Sequence, residues 1–278
     1  MTTKSLIIIS IAISLTGCLP DPLPVSDIPT LQSKVVISSQ MTPYSGLVVS
    51  VSKSLGALDV GDDTDIEDLL SQILIDNAIV TIKYNNQTDT LSNLGDGLYL
   101  SVATVWEEGV SYTLHVDAGE YGEVEATSQV THAVTFDFAS VNVSGTDDNR
   151  QADVSYGFKD PAADNYYAVN VQRYSGRREY DFLNERIYTH LLQDAAFNGG
   201  QYSEDFVVPF SRYHHGDTVA VFLSSIDQTY YNFLKLRNDS EFSLGDFISE
   251  PINYPSNVNG GYGFFNLYLP DVKVFVIE

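Results

Sequence analysis

Short runs in which apolar and polar residues alternate recur along the first half of the chain. They occupy 34–39, 47–53, 78–84, 97–102, 111–116 and 122–130. This alternation places successive side chains on opposite faces of a strand. Asn85-Asn86 and segment 93–97 predict chain reversals, because Asn, Asp and Gly tolerate positive φ. Residues 30–133 are therefore predicted to form one small β-sandwich.

The second half shows the same alternation, with runs that predict strands at 134–143, 153–158, 166–173, 206–210, 218–226 and 272–276. We assign residues 134–278 to a second, β-rich domain. Within it, Leu183, Ile187 and Leu191 share one face of a helix, and Asn198-Gly199-Gly200 is a good stop signal. The sequence thus predicts a mainly helical insertion near 176–200 and a shorter helix at 230–237.

Segment 62–76 departs from the strand pattern, since its apolar residues follow helical spacing: Ile66, Leu69, Leu70, Ile73 and Leu74. Thr64 and Glu67 could form a capping box at its start. Two interpretations stay open for the helix. It could dock a partner, with Ile66, Leu69, Leu70 and Ile73 as the contact face, or it could cover an open end of the sandwich.

Acidic residues at the start of this helix, Asp62, Asp63 and Asp65, raise the hypothesis of a bound cation. An EF-hand is excluded, because the loop lacks its turn glycine and has Leu74 where a bidentate Glu is needed. A looser cation site remains an alternative. Apart from it, the sequence predicts no cofactor.

The chain is strongly acidic, with 37 Asp and Glu against 14 Lys and Arg and a net charge of −23. Such a surface repels nucleic acid and anionic lipid. Two interpretations of the acidic surface stay open. It could bind a basic partner or cations, or it could serve only to keep the protein in solution. The apolar content of 44%, with 18 Tyr and 14 Phe, is ample for packed cores.

Residues 1–17 have the pattern of a signal peptide, with Lys4 followed by an apolar run from Leu6 to Leu15. The run is too short to span a bilayer permanently. Leu15, Thr16 and Gly17 precede Cys18, the single cysteine, and together resemble the lipobox of bacterial lipoproteins. We therefore predict a lipid on Cys18, with residues 18–29 as a proline-rich tether to a membrane.

Motifs that carry chemistry are missing: the sequence has no Gly-x-Ser-x-Gly, no His-Glu-x-x-His and no Walker loop. The 5 histidines are scattered, and the neighbours His214 and His215 would point to opposite sides of an extended chain. The sequence therefore predicts neither an enzyme nor a metal site of catalytic type.

Aromatic residues offer the clearest binding chemistry, because their faces can stack on sugars. We predict that Tyr230, Tyr231, Tyr254 and Tyr262 face a ligand, although Tyr is also ordinary in strands. The glycines of Gly260-Gly261-Tyr262-Gly263 lack the strand-loop-helix context of a phosphate site. They predict a tight turn that leads into a buried strand.

Several segments resemble known families. Residues 77–82, 95–99 and 108–116 are similar to prealbumin-like and carboxypeptidase-regulatory sandwiches, so residues 30–133 would form an Ig/prealbumin-like sandwich. Residues 221–227, 230–234 and 250–265, with its Asn-Gly-Gly-x-Gly-Phe-Phe ending, resemble the Bacteroidota lipoproteins of domain-of-unknown-function family 4249. The resemblance covers nearly all of the chain after the leader.

The resemblance implies an outer-membrane lipoprotein, with genes of TonB-dependent transporters of the starch-utilisation type as frequent neighbours. The first hypothesis is accordingly a non-enzymatic accessory subunit of such a β-barrel, lipid-anchored and facing outward. The alternative is a free-standing surface protein that binds glycan or peptide. The resemblance assigns no catalytic residue.

Overall fold

Two β-sandwiches and a helix make up the described part of the protein. The computed structural model describes residues 32–42, 46–55, 71–145, 150–174, 186–210, 218–241 and 254–276. In chain order its strands and its α-helix are β1 (Val35–Met41), β2 (Leu47–Lys53), β3 (Ile79–Tyr84), β4 (Gln87–Thr90), β5 (Ser92–Gly95), β6 (Leu98–Ser101), β7 (Ser111–Asp117), β8 (Glu123–Gln129), β9 (Phe136–Ser144), β10 (Arg150–Lys159), β11 (Tyr166–Tyr174), β12 (Arg186–Gln193), β13 (Gln201–Phe210), β14 (Thr218–Ile226), α1 (Gln228–Glu241), β15 (Val258–Asn259), β16 (Tyr262–Phe264) and β17 (Asp271–Val276). Short 3₁₀ turns occupy Gly119–Tyr121 and Asp194–Ala196, and residues 71–73 are helical. The prediction of a mainly β protein is confirmed.

The first sandwich packs a sheet of order β16-β1-β2-β6-β5 against a sheet of order β15-β8-β7-β3-β4. Strand β8 shows why these strands form, since Val124, Ala126 and Ser128 are buried and their neighbours are exposed. The β3–β4 reversal uses Asn85 and Asn86 at φ 43° and 62°, as the sequence predicts. In this sandwich the alternation of apolar and polar residues and the residues at the chain reversal therefore both predict the observed strands.

The core of the first sandwich includes a segment from near the end of the described chain. Val258, Phe264, Phe265 and Leu267 are buried among residues of β1 to β8. The sequence assigns all of 134–278 to the second domain, so the structure corrects that assignment for this segment. Strands that are far apart in sequence pair here through backbone hydrogen bonds, which no local pattern reveals.

The second sandwich packs a sheet of order β13-β10-β9 against a sheet of order β12-β11-β14-β17. Its core is rich in aromatic residues: Tyr156, Phe158 and Tyr167 are fully buried. Phe158 and Tyr167 meet edge to face, with ring centroids 4.9 Å apart. Such pairs add about 0.5–1.5 kcal/mol beyond the burial of their area.

The helical insertion predicted at 176–200 is wrong for its described part. Residues 186–193 form β12, which pairs antiparallel with β11 and places Leu191 opposite Ala168. Leu191 packs against the first core, whereas Leu192 is buried in the second. Because both faces of this strand are covered, its apolar residues do not alternate, and the pattern imitates a helix. Among the described residues of that range, 186–200, the 3₁₀ turn Asp194–Ala196 is the only helical part.

Helix α1 lies between the two sandwiches and includes the helix predicted at 230–237. Asp227 caps it, since its Oδ1 accepts hydrogen bonds from the N–H groups of Thr229 and Tyr230 at 2.8 and 3.0 Å. Tyr231 packs against Tyr166 of β11, with centroids 4.9 Å apart. Tyr230 packs on the other side, against Phe264 of β16. Within the described residues, no helix is long and apolar enough to cross a membrane.

Buried tyrosines give the fold a predicted dependence on alkaline pH. Burial raises the pKa of Tyr84, Tyr99, Tyr112 and Tyr167 above the ordinary value of 10.0. The unfolded chain therefore ionises first as the pH rises. The stabilisation is complete below about pH 10 and is lost as the pH rises through the higher pKa values of the folded state.

Urea unfolding at a series of pH values, together with tyrosinate absorbance, tests this expectation. We expect the unfolding midpoint to fall above about pH 10, and part of the tyrosinate signal to appear only on unfolding. Ionisation of all tyrosines of the folded protein in one step at the ordinary pKa would contradict it.

Candidate ligand groove

A groove of about 550 Å³ lies between α1 and the edge of the first sandwich. Its volume is in the range of small-molecule sites. Strand β1, helix α1 and segment 254–264 form its walls. Their side chains include Val36, Ser38, Gln40, Tyr230, Phe233, Arg237, Tyr254, Tyr262 and Phe264. We call this the aromatic groove.

Aromatic rings form a connected cluster along the groove. The Phe233 ring lies 5.3 Å from that of Phe264 and 5.9 Å from that of Tyr254, between centroids. Tyr230 lies 5.2 Å from Phe264 and is almost fully buried beneath them. Tyr254 is the exposed member of this cluster, at 39%. Tyr262, at 49% exposure, also lines the groove, and Lys34 Nζ lies over its ring, 5.0 Å from the centroid. The groove therefore has a packed aromatic base, with two partly exposed tyrosines at its rim.

Helical spacing explains how α1 contributes to the groove. Phe233 and Arg237 follow Tyr230 by three and by seven positions. At this spacing the three side chains share one face of the helix. All three line the groove. Leu234, on the neighbouring position, is buried in the first core and fixes the rotation of α1. The helix thus presents two aromatic rings and a guanidinium to the same space.

Glycines bring the other wall close to β1. Strand β16 runs parallel to β1, with Val36 opposite Tyr262 and Ser38 opposite Phe264. Gly263, at φ +99°, lies so near Ile37 that a Cβ would collide with the Ile37 carbonyl oxygen. Only glycine fits this backbone path. The sequence interpretation of a tight turn entering a buried strand therefore describes this segment well.

Asn257 closes the loop that carries Tyr262. Its side chain accepts a hydrogen bond from the Phe265 N–H at 2.9 Å and donates one to the Phe265 carbonyl at 2.7 Å. These two hydrogen bonds pair the Asn257 side chain with the Phe265 backbone in the way that the backbone of a neighbouring strand would. Asn257 is a positioning residue for the groove wall, and sequence reasoning missed it.

Asn257→Ala is expected to destabilise the protein by about 1–3 kcal/mol, because two backbone groups of Phe265 lose their partner. Asn257→Asp keeps the acceptor for the Phe265 N–H but sets a carboxylate oxygen against the Phe265 carbonyl oxygen, so it should not restore the stability. Urea unfolding of both variants measures the difference. Equal stability of Asn257→Ala and the unchanged protein would contradict the bridging role.

Of the tyrosines predicted to face a ligand, Tyr230, Tyr254 and Tyr262 line the groove. Tyr231 does not, because it points to the opposite side of α1 and packs against Tyr166. Sequence reasoning missed Phe233 and Arg237. The helical period of 230–237 was the available signal for both, since it places them with Tyr230.

The remaining predicted site residues fall mostly outside the described part. This holds for the lipobox, Leu15 to Cys18, for the acidic residues Asp62, Asp63 and Asp65, and for Ile66, Leu69 and Leu70. Ile73 ends the helical turn at 71–73 and is half-buried. Among the described residues, no group of three or more His, Cys, Asp or Glu side chains is placed to hold a metal ion.

A second cleft, of about 470 Å³, lies where β8 meets the start of α1. It is lined by Ser128, Gln129, Asp227 and Asn257. Asp227 is engaged in capping the helix, and Asn257 in bridging to Phe265. These polar groups already serve the fold, so the aromatic groove is the better candidate site.

Comparison with known proteins gives a family match. The model of the family described as Domain of unknown function (DUF4249) matches residues 23–273. The matched range includes the first sandwich, every lining residue of the aromatic groove, and the second sandwich as far as the middle of β17. A search of curated proteins found no match.

Proposed function

We propose, on the premise that the chain belongs to the DUF4249 family, that it is a lipid-anchored, non-enzymatic protein of the outer-membrane surface that binds carbohydrate in the aromatic groove. The observation that carries this proposal is the exposure of Tyr254 and Tyr262 above a packed aromatic base. Aromatic rings exposed together beside a cavity are typical of ligand-binding sites.

Carbohydrate suits the groove for two physical reasons. The C–H face of a sugar ring carries partial positive charge, which complements the negative face of a tyrosine ring. Sugar hydroxyls need hydrogen-bond partners, and Ser38, Gln40 and the tyrosine hydroxyls supply both donors and acceptors around the rings. A wholly apolar ligand would leave these polar groups without partners.

The test is a glycan array probed with the full-length lipidated protein in mild detergent. We expect binding to a subset of oligosaccharides, without release of products. Failure to bind any glycan, together with binding to a peptide array, would replace carbohydrate with peptide as the ligand. Hydrolysis of a bound glycan would overturn the non-enzymatic part of the proposal.

A second function is favoured by the lipobox at Cys18. A lipid tether confines the body to the membrane plane, which raises its effective concentration near other membrane proteins. A modest interface would then suffice for it to act as an accessory subunit of a β-barrel of the TonB-dependent transporter type. The groove could hold cargo in either arrangement.

A mild-detergent pull-down from the native membrane tests the accessory role, with Cys18→Ala as the control. We expect an outer-membrane barrel protein in stoichiometric amount with the lipidated protein, and none with the control. Recovery of the lipidated protein alone would favour the free-standing binder. Membrane attachment of the Cys18→Ala variant would contradict the lipid anchor.

A further inference from the structure

We infer that the aromatic groove and the second cleft form one binding path, and that this path takes a neutral oligosaccharide of several units rather than a single sugar. This inference rests on the proposed carbohydrate function and names the ligand class of the same site. Its basis is the position of the two cavities. Phe264 lines both of them, so the groove and the second cleft meet at one side chain.

Helix α1 runs along both cavities. Asp227 and Thr229, at its start, line the second cleft, and Tyr230 and Phe233 line the groove. With a rise of about 1.5 Å per residue, the stretch from Asp227 to Phe233 covers about 9 Å. Each cavity, at about 550 and about 470 Å³, is by itself large enough for a small molecule. A ligand that occupies both is therefore longer than one sugar ring.

The second cleft supplies side chains that can recognise sugar hydroxyls. Ser111 of β7 and Gln129 of β8 lie opposite each other and are both exposed, and both line the cleft. Among the described residues, neither side chain has a hydrogen-bond partner. A hydroxyl and a primary amide each donate and accept hydrogen bonds. Both side chains are therefore available to the hydroxyl groups of a ligand.

Asp227 adds a carboxylate oxygen to the same cleft. Its Oδ1 accepts both capping hydrogen bonds, from the N–H groups of Thr229 and Tyr230. Its Oδ2 has no donor among the described residues. A hydrogen bond from a sugar hydroxyl to this oxygen would be charge-assisted, and such bonds are about twice as strong as neutral ones. The same negative charge repels an acidic sugar, so the ligand is a neutral one.

The chemistry of the two cavities is complementary. The groove offers the ring faces of tyrosine and phenylalanine, and the second cleft offers a hydroxyl, an amide and a carboxylate. Every unit of a sugar chain has a C–H face that packs on an aromatic ring and hydroxyls that need hydrogen-bond partners. Neighbouring units of one chain can therefore use the groove and the second cleft at the same time.

The experiment titrates the full-length lipidated protein in detergent with neutral oligomers of glucose, mannose and xylose, each from the monosaccharide to the hexasaccharide. Oligogalacturonates are measured beside them as acidic probes. We expect the affinity for at least one neutral series to rise about tenfold from the disaccharide to the tetrasaccharide, because the longer chain reaches the second cleft. Asp227→Asn should remove most of this gain, since Asn caps a helix as well as Asp does but lacks the carboxylate.

Gln129→Ala changes the second cleft without touching the helix cap, and it should also reduce the gain. Asp205→Asn is the matched control, because it removes the same charge from an exposed residue of β13 that lines neither cavity. It should leave the gain unchanged. The urea unfolding midpoint of each variant is measured as well, so that a loss of binding is not mistaken for a loss of folding.

An affinity that does not depend on chain length would overturn the inference and leave the carbohydrate proposal standing. So would a gain that survives both Asp227→Asn and Gln129→Ala, or tighter binding of oligogalacturonates than of every neutral series. Absence of binding to any glycan would overturn the inference and the carbohydrate proposal together.

Discussion

Gly263→Ala is expected to destabilise the protein by about 3–5 kcal/mol, among the largest effects of any single substitution. The added Cβ would collide with the carbonyl oxygen of Ile37, a backbone atom that cannot move without breaking the pairing of β1 with β16. The φ of +99° at Gly263 adds strain for any residue with a Cβ. Urea unfolding measures the loss, and sugar binding should fall with it, since Tyr262 is adjacent.

Gly95→Ala is the matched control for this prediction. Gly95 has φ +88° and no atom within 4 Å of the position that a Cβ would take. It therefore reports backbone strain without a collision, at a cost of about 1–2 kcal/mol. The difference between the variants isolates the close approach of β16 to β1. Equal destabilisation by both would contradict the collision as the cause.

Replacing Tyr254 and Tyr262 together with Ala is expected to weaken sugar binding by about 10- to 100-fold. Each ring should contribute about 0.5–1.5 kcal/mol through its face, and each 1.4 kcal/mol is a factor of ten in affinity. Both side chains are partly exposed, at 39% and 49%, so the free energy of unfolding should fall by less than for fully buried tyrosines, and the affinity is compared at a temperature where the variant is folded. Calorimetric titration with a glycan found on the array measures the affinity.

Tyr121→Ala is the control for the groove tyrosines. Lys53 lies 5.0 Å from the Tyr121 ring centroid, as Lys34 does from that of Tyr262. Tyr262→Ala and Tyr121→Ala thus remove the same kind of cation–π pair, but Tyr121 is not part of the groove lining. Sugar binding should be unaffected by Tyr121→Ala. Similar losses in the two single variants would contradict a specific role for the groove.

Much of the fold could be predicted from local pattern. Strands β2 and β14 have the predicted bounds, and the Asn85-Asn86 reversal and the helix at 230–237 are present. In these elements the residue types point to one structure, either through the spacing of apolar residues or through the residues that favour a turn. Strand β12 was mistaken for a helix because it is covered on both faces. A buried strand was expected after the glycine turn, but the pairing of β16 with β1, more than two hundred residues away, could not be predicted.

The groove could be predicted in part. Tyr230, Tyr254 and Tyr262 were named from their chemistry, and the structure brings them together through α1 and the segment that follows it. Helical spacing could have placed Arg237 on the same face as Tyr230, but Asn257 could not be chosen from the sequence, because its role depends on which elements meet. The side of α1 that faces β1 is set by packing of Leu234 and Tyr231 into other surfaces.

The most direct test of carbohydrate binding in the aromatic groove is NMR of the protein with ¹³C-labelled tyrosine rings, titrated with a glycan from the array. Signals of Tyr254 and Tyr262, assigned through Tyr→Phe variants, should shift as the sugar saturates its site, while that of Tyr121 stays fixed. Shifts confined to tyrosines outside the groove, or no shift at a saturating concentration of a bound glycan, would contradict the account.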